Sequence, residues 1–188
     1  MAQYSDDGVT FNAAYGYRIG NQLDAVADIL KHDPDSRQAV VQIWHEIDLE
    51  RKTKDKACNL CIVFQRQPGS LLLLDMTVYN RSNDGVWGTV AGANPVHMSF
   101  FHEYVANRIG WKVGIYRQVT TNLHFYLGNE KTMPLLDELP SCDRYESSSE
   151  TRPAIPSRHS DYVNLCDSID SAIYGTDDRL SPNANDWL

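Results

Sequence analysis

Two cysteines lie close together in the stretch KACNLC at 56–61. Cys58 and Cys61 could hold a metal ion, form a redox pair or include one nucleophilic thiol. A structural zinc needs two more ligands at suitable spacing, but no second C-x-x-C follows, and His97 and His102 stand five apart on a predicted helix and so face different directions. A thioredoxin-type pair opens a helix, whereas this pair leads into a predicted strand. The pattern disfavours both roles and leaves one working thiol or two small buried residues.

A second group of reactive side chains lies in YNRSNDGVWG at 79–88. Arg81, Ser82 and Asp84 crowd the end of a predicted strand, followed by glycine-rich backbone. A guanidinium, a hydroxyl and free amides are what phosphate binding requires. The alternative interpretation is a surface turn closed by an ion pair between Arg81 and Asp84.

Two further stretches carry candidate binding residues. In DPDSRQ at 33–38, Arg37 is either a second phosphate ligand or a solvated loop residue. In NLHFY at 122–126, strand alternation puts His124 and Tyr126 on one face, where both could bond to a sugar hydroxyl. A buried histidine packed beside a buried tyrosine explains the same pattern.

The hydrophobic pattern predicts the elements that position these residues. Leu23, Val26, Ala27 and Leu30 follow helical spacing, and Asp33-Pro34 ends that helix. Strands are predicted at 38–44, 60–66, 70–81 and 112–126, with a hairpin turn at 67–69 and a second helix at 95–109. Residues 4–20, 45–56 and 83–94 are predicted to be irregular. The mixture indicates an α+β fold with a mixed sheet packed by helices.

Composition limits the class of protein. The chain has 188 residues, 25 acidic against 17 basic, and a net charge of −8, which disfavours nucleic acid or an anionic membrane as a partner. No apolar run is long enough to span a bilayer, and no secretory signal is visible, so we expect a cytoplasmic protein. We expect a core at 1–142 and a polar extension at 143–188, with one short helix at 161–173.

Taken together and in order, the motifs resemble those of the thymidylate synthase and pyrimidine-nucleotide hydroxymethylase family, in its phage and bacterial branch. The matching stretches are YGYR at 15–18, DSRQ at 35–38, ACN at 57–59, NRSND at 80–84, GAN at 92–94 and HFY at 124–126. They span about 60% of the chain. The resemblance implies a thymidylate synthase-like fold and folate-dependent transfer of a methyl or hydroxymethyl group to C5 of a deoxypyrimidine 5′-monophosphate, with deoxyuridine monophosphate preferred.

The resemblance also implies a role for each site residue. Cys58 would add to C6 of the base, with Asn59 beside it in the catalytic site, and 5,10-methylenetetrahydrofolate would supply the one-carbon unit. The nucleotide would be held by a set of polar residues: Arg37, Arg81 and Ser82 on the phosphate, Asn94 on the base edge, and His124 and Tyr126 on the ribose 3′-hydroxyl, with Asp84 near the nucleotide site. Arg37 would act in the partner subunit of a homodimer. No metal is implied.

Several positions depart from the family pattern. Ala57 replaces the usual proline, Asn59 the usual histidine and Gln38 a second arginine. The chain also has no match for the usual N-terminal segment, which carries a catalytic glutamate, or for the closing C-terminal segment. The alternative function is therefore a family member that binds a nucleotide or a partner subunit without catalysis. A short hairpin would allow either Cys58 or Cys61 as the nucleophile.

Overall fold

The computed structural model describes residues 5–90 and 92–126, apart from the side chain of Val90. It has the α+β architecture that the sequence predicts, with a mixed sheet and helices packed on it. The elements in chain order are α1 Tyr15–Ile19, α2 Gln22–His32, β1 Val40–Gln42, α3 Ile47–Glu50, β2 Asn59–Arg66, β3 Leu73–Asn80, β4 Asn83–Asp84, a π-helical turn Gly85–Val90, α4 Ala93–Ile109, β5 Lys112–Thr120 and β6 Leu123–His124. The expected extension at 143–188, with its helix at 161–173, lies outside the described residues.

The main sheet has the strand order β1-β2-β3-β5. β2 and β3 form the predicted antiparallel hairpin, and Gly69 supplies the positive φ of +78° that its turn requires. β5 pairs with β3 in parallel after the chain has crossed back through α4. The carboxyl ends of β3 and β5 therefore meet at one edge of the sheet, and β4 and β6 form a small parallel pair just beyond that edge.

The hydrophobic core lies on one face of the sheet, under α2 and α4. Helical periodicity buries the predicted face of α2, and strand alternation buries every second residue of β3. The largest core side chains are Ile19, Leu30, Ile43, Ile62, Phe64, Leu74, Met76 and Met98. Within the described part of the chain, no helix is long and apolar enough to cross a membrane.

Two of the buried polar residues, His102 and Asp75, form hydrogen bonds that join α4, β3 and β5. His102 of α4 places Nε2 2.6 Å from the carbonyl oxygen of Leu74, and burial lowers the pKa of its imidazole. Asp75 accepts the backbone N–H of Ile115 at 2.8 Å and Nη1 of Arg117 at 2.8 Å. A side chain at Gly114 would overlap this carboxylate, so the glycine allows the register shift between β3 and β5.

The structure corrects four local predictions. α1 lies inside the predicted loop at 4–20, and α3 lies inside the predicted connection at 45–56. The stretch at 83–94 contains β4, the π-helical turn and the first residues of α4, which begins two residues before Pro95. The predicted strand at 112–126 ends at Thr120, where the N–H of Thr121 bonds to the carbonyl of Asn80, and a separate β6 follows.

Candidate active site

Cys58 immediately precedes β2 in the chain. In space it lies next to Arg81, the residue that follows β3. The backbone N–H of Arg81 donates to the carbonyl of Cys58 at 2.9 Å, so the hairpin brings the two residues together. The Arg81 guanidinium donates to the carbonyls of Ala57 and Lys56, stacks 5.3 Å from the ring centroid of Trp44, and places Nη2 4.0 Å from the Cys58 sulfur. The guanidinium is therefore the cationic group next to the sulfur of Cys58.

Cys58 lines a cavity of about 530 Å³ between α1 and α4. Its walls include the aromatic side chains of Phe11, Tyr15, Phe100 and Phe101, and we call it the aromatic cavity. The backbone N–H groups of Asn59 and Cys58 lie near the phenol of Tyr15 and act to lower its pKa, but burial has the larger effect. Burial, together with the nearby Cys58 sulfur, raises the pKa of Tyr15 to about 12, so the phenol keeps its proton at neutral pH.

A buried ion pair holds α1 against the segment that leads to Cys58. Arg18 donates to both carboxylate oxygens of Asp48 at 2.6 and 2.7 Å, and the two side chains are 5% and 0% exposed. The Arg18 guanidinium and the backbone N–H of His45 hold the pKa of Asp48 well below its usual range. Lys56 also donates to the Asp48 carbonyl at 2.8 Å. The Arg18–Asp48 ion pair and the hydrogen bond from Lys56 therefore hold the helix of Tyr15 and the segment of Cys58 in place relative to each other.

Cys61 has a different environment from Cys58. It lies within β2 opposite Tyr79, is half-buried, and is not among the residues that line the aromatic cavity. Burial raises the pKa of its thiol. Among the described residues, no group of three histidine, cysteine or acidic side chains is arranged to hold a metal ion. Of the two candidate nucleophiles, Cys58 has the more reactive surroundings.

Ser82 and His124 meet at the edge formed by β4 and β6. Ser82 Oγ lies 3.4 Å from His124 Nδ1, which is also 3.2 Å from Oδ1 of Asn122. The His124 and Tyr126 rings pack edge to face, with centroids 4.8 Å apart. His124 Nε2 is buried and has no hydrogen-bond partner among the described residues. The structure thus brings a predicted phosphate ligand and two predicted sugar ligands into one cluster.

Asn94 and Asp84 are both held by local hydrogen bonds. Asn94 Nδ2 donates to Asn83 Oδ1 at 2.7 Å, and Asn83 in turn donates to Thr89. Asp84 accepts the N–H groups of Val86 and Trp87, so it caps the π-helical turn, and no ion pair joins it to Arg81 among the described residues. The surface-turn interpretation of this motif is therefore wrong.

Arg37 lies apart from this cluster. It lines a separate cavity of about 230 Å³ with Ser36 and with the ion pair between Arg66 and Asp35, whose N···O distance is 2.6 Å. Within the described chain, Arg37 is not among the residues that line the cavity of Cys58. Sequence reasoning assigned no role to Tyr15, Arg18 or Asn80, although the first two lie inside the YGYR motif.

Comparison with known proteins identifies the fold and the family of the chain. A thermostable thymidylate synthase A from Bacillus subtilis has the same fold, with a TM-score of 0.58 at 22% identity, over 73% of this chain and 51% of that protein. The thymidylate synthase family model matches residues 3–164. The fold is therefore of the thymidylate synthase class. The chain belongs to the thymidylate synthase family, as the motifs in its sequence indicate.

Two phage proteins are more similar in sequence. A deoxyuridylate hydroxymethyltransferase of Pseudomonas phage M6 is 48% identical over 132 residues, which cover 67% of this chain and 37% of the relative. A deoxyuridylate hydroxymethyltransferase of Bacillus phage SP01 is 44% identical over 144 residues, with 68% and 37% coverage. The chain thus spans little more than a third of the length of these relatives.

Proposed function

We propose that this chain carries the nucleotide-binding half of an enzyme that transfers a one-carbon unit to C5 of deoxyuridine 5′-monophosphate. The observation that carries this proposal is the position of Cys58 on the wall of an aromatic cavity, 4.0 Å from the Arg81 guanidinium. A half-buried thiol beside a cation, in a cavity of the size that small molecules occupy, is an arrangement suited to covalent catalysis.

In this proposal the Cys58 thiolate attacks C6 of the pyrimidine, and the electron pair moves to C5, which becomes a carbon nucleophile. Arg81 and Ser82 hold the 5′-phosphate. Nε2 of His124 has no partner among the described residues and would bond a sugar hydroxyl once this buried atom becomes accessible. Tyr126 lies against His124 and extends the sugar site. Binding would require Arg81 to turn part of its guanidinium from backbone carbonyls towards the phosphate.

Asn94 is the proposed reader of the base edge, since an amide offers both a donor and an acceptor to uracil. Its contact with Asn83 Oδ1 fixes the amide in one orientation. We propose hydroxymethyl as the transferred group, because the phage deoxyuridylate hydroxymethyltransferases are 48% and 44% identical to the chain. Asn59, which replaces the usual histidine, leaves room for the same choice, but its side chain is fully buried and does not line the cavity of Cys58, so a direct catalytic role is not proposed for it.

Methylenetetrahydrofolate is the proposed one-carbon donor. The aromatic cavity suits a flat heteroaromatic ring, because Phe11, Phe100 and Phe101 offer stacking surfaces beside Cys58. Bound there, the donor would supply the carbon that C5 attacks. The residues of this chain would orient it and exclude water from the thiol.

We also propose a homodimer formed through the open face of the sheet. Val40, Tyr79 and Val119 lie on that face, opposite the core, and are 45%, 39% and 48% exposed. The same face also carries the ion pair between Arg117 and Asp75, so it combines exposed apolar side chains with one charged pair, as protein interfaces do. Such a dimer would let Arg37 reach the phosphate in the other subunit.

The test is tritium release from C5-labelled deoxyuridine monophosphate, with and without methylenetetrahydrofolate. Cys58→Ala should abolish release, while Cys61→Ala, the matched control, should keep at least about half of the wild-type rate because it leaves the proposed nucleophile in place. Nucleotide binding without release in the wild-type chain would support the alternative of a binding module. Release that survives Cys58→Ala would contradict the covalent mechanism.

A further inference from the structure

Two asparagines form a buried pair directly behind the candidate nucleophile. Asn59 and Asn80 are opposite each other in β2 and β3 and are 0% and 1% exposed. Nδ2 of Asn80 donates to Oδ1 of Asn59. The other two polar atoms, Nδ2 of Asn59 and Oδ1 of Asn80, are buried and have no hydrogen-bond partner among the described residues.

Exchanging the nitrogen and oxygen positions of the two amides does not supply the missing hydrogen-bond partners. Any arrangement in which two amide groups share one hydrogen bond leaves one N–H group and one oxygen unused. Buried polar groups without partners are costly, so native proteins nearly always satisfy them with protein atoms or ordered water. A single water molecule can accept from one such donor and donate to one such acceptor on the same pair of amides.

The location of the pair links it to the active site. Asn59 follows Cys58 and Asn80 precedes Arg81, so each asparagine is one peptide unit from a proposed functional residue. The register of β2 and β3 shifts between Asn59 and Cys61, immediately beside the pair. On β3, Asn80 continues the buried row of Leu74, Met76 and Val78, so the pair closes the core below the active site.

We propose that Asn59 and Asn80 together bind one buried water molecule, and that this water site positions Cys58 against Arg81. The water accepts from Asn59 and donates to Asn80, which adds to the hydrogen bonds of Arg81 with the carbonyls of Cys58 and Ala57 that already join the two strand ends. Asn80 is then a positioning residue, acting through the strand that carries Arg81. The proposal rests on the proposed function only in the role given to Cys58.

A crystal structure of the chain at high resolution tests the site itself. We expect one water within about 3.2 Å of both Nδ2 of Asn59 and Oδ1 of Asn80, the normal hydrogen-bond range. An amide pair that forms two hydrogen bonds to each other, or a protein atom in the place of the water, would overturn the proposal.

Denaturant unfolding tests the coupling of the two residues. Asn59→Leu and Asn80→Leu each leave an amide without its partner, whereas the double variant removes both amides together. Each single variant should therefore lower the urea midpoint more than the double variant does. Additive shifts in the midpoint would show that the two amides do not share a site.

Alkylation of Cys58 by iodoacetamide tests the positioning role without requiring turnover. Asn80→Leu should slow alkylation at least about threefold, because the thiolate loses its fixed place beside the cation. Val78→Ala is the matched control, since it weakens the same face of the same strand and should leave the rate unchanged. A wild-type rate in Asn80→Leu would refute the positioning role. Absence of tritium release from the wild-type chain would contradict the proposed enzymatic function and would leave the proposed water site unaffected.

Discussion

Arg18 and Asp48 are 30 residues apart in sequence and share two parallel hydrogen bonds in the interior of the protein. Arg18 also donates to the carbonyls of Asn12 and Ile43, so its guanidinium joins three segments. One of these segments carries Tyr15, and the one that contains Asp48 leads to Cys58. The ion pair therefore stabilises the fold and also holds the segments of Tyr15 and Cys58 in place in the candidate active site.

Loss of one partner should destabilise the protein in a pH-dependent way. Asp48→Asn should lower the free energy of unfolding at pH 7 by about 3 kcal/mol, because it leaves a buried guanidinium without its counter-charge. The folded pKa of Asp48 is depressed, so its contribution is complete above its unfolded pKa of about 3.9 and is lost as the pH falls below that value.

Urea denaturation of wild type and Asp48→Asn between pH 3 and pH 7 measures this effect. The difference in free energy of unfolding should be constant in the upper part of this range and shrink towards pH 3. The matched control is Asp35→Asn, which removes the surface ion pair with Arg66, where Asp35 is 70% exposed. That substitution should cost no more than about 1 kcal/mol.

The two cysteines should differ in reactivity. Cys58 lines the cavity and lies 4.0 Å from the Arg81 guanidinium. Cys61 is not among the residues that line this cavity, and burial raises the pKa of its thiol. At neutral pH we expect iodoacetamide to modify Cys58 at least about fivefold faster, as judged by peptide mass spectrometry over time. Arg81→Gln should reduce this preference. Faster labelling of Cys61 would reverse our assignment of the nucleophile.

Gly88 should be required for the asparagine contact at the base-reading position. A Cβ at this residue would overlap Oδ1 of Asn83, the atom that accepts from Asn94. Gly88→Ala should lower the free energy of unfolding by about 1–3 kcal/mol and weaken binding of deoxyuridine monophosphate.

Gly16→Ala is the comparison, because Gly16 has open space around its Cα and lies within α1. Its stability should be unchanged or higher by up to about 1 kcal/mol. Thermal unfolding and calorimetric titration with the nucleotide measure both variants. If Gly88→Ala and Gly16→Ala change stability and nucleotide affinity equally, the contact between Asn83 and Asn94 does not determine nucleotide binding.

A charge on the open sheet face should prevent the proposed dimer. Val119→Lys places an ammonium group in the middle of that face, where its desolvation would oppose association. Val9→Lys, at a residue that is 79% exposed and outside the sheet, is the control. Light scattering after size exclusion should give a dimer for wild type and Val9→Lys and a monomer for Val119→Lys.

Much of the scaffold follows from local sequence signals. The periodicity of α2 and the turn between β2 and β3 both predict what the structure contains. α1 has only five residues, too few for a periodic signal, and it depends on the contact of Arg18 with a distant carboxylate. The pairing of Asn59 with Asn80 depends on a register shift, which single-strand patterns do not encode.

The parallel pairing of β3 with β5 has a consequence for the order in which the protein folds. Cys58 and Arg81 meet through a hairpin, which needs only a short loop to close. Ser82 and His124 are 42 residues apart and meet only after α4 has packed and β5 has found its place. Because closing the longer loop costs more chain entropy, we expect the thiol and its arginine to come together first and the sugar-binding edge last.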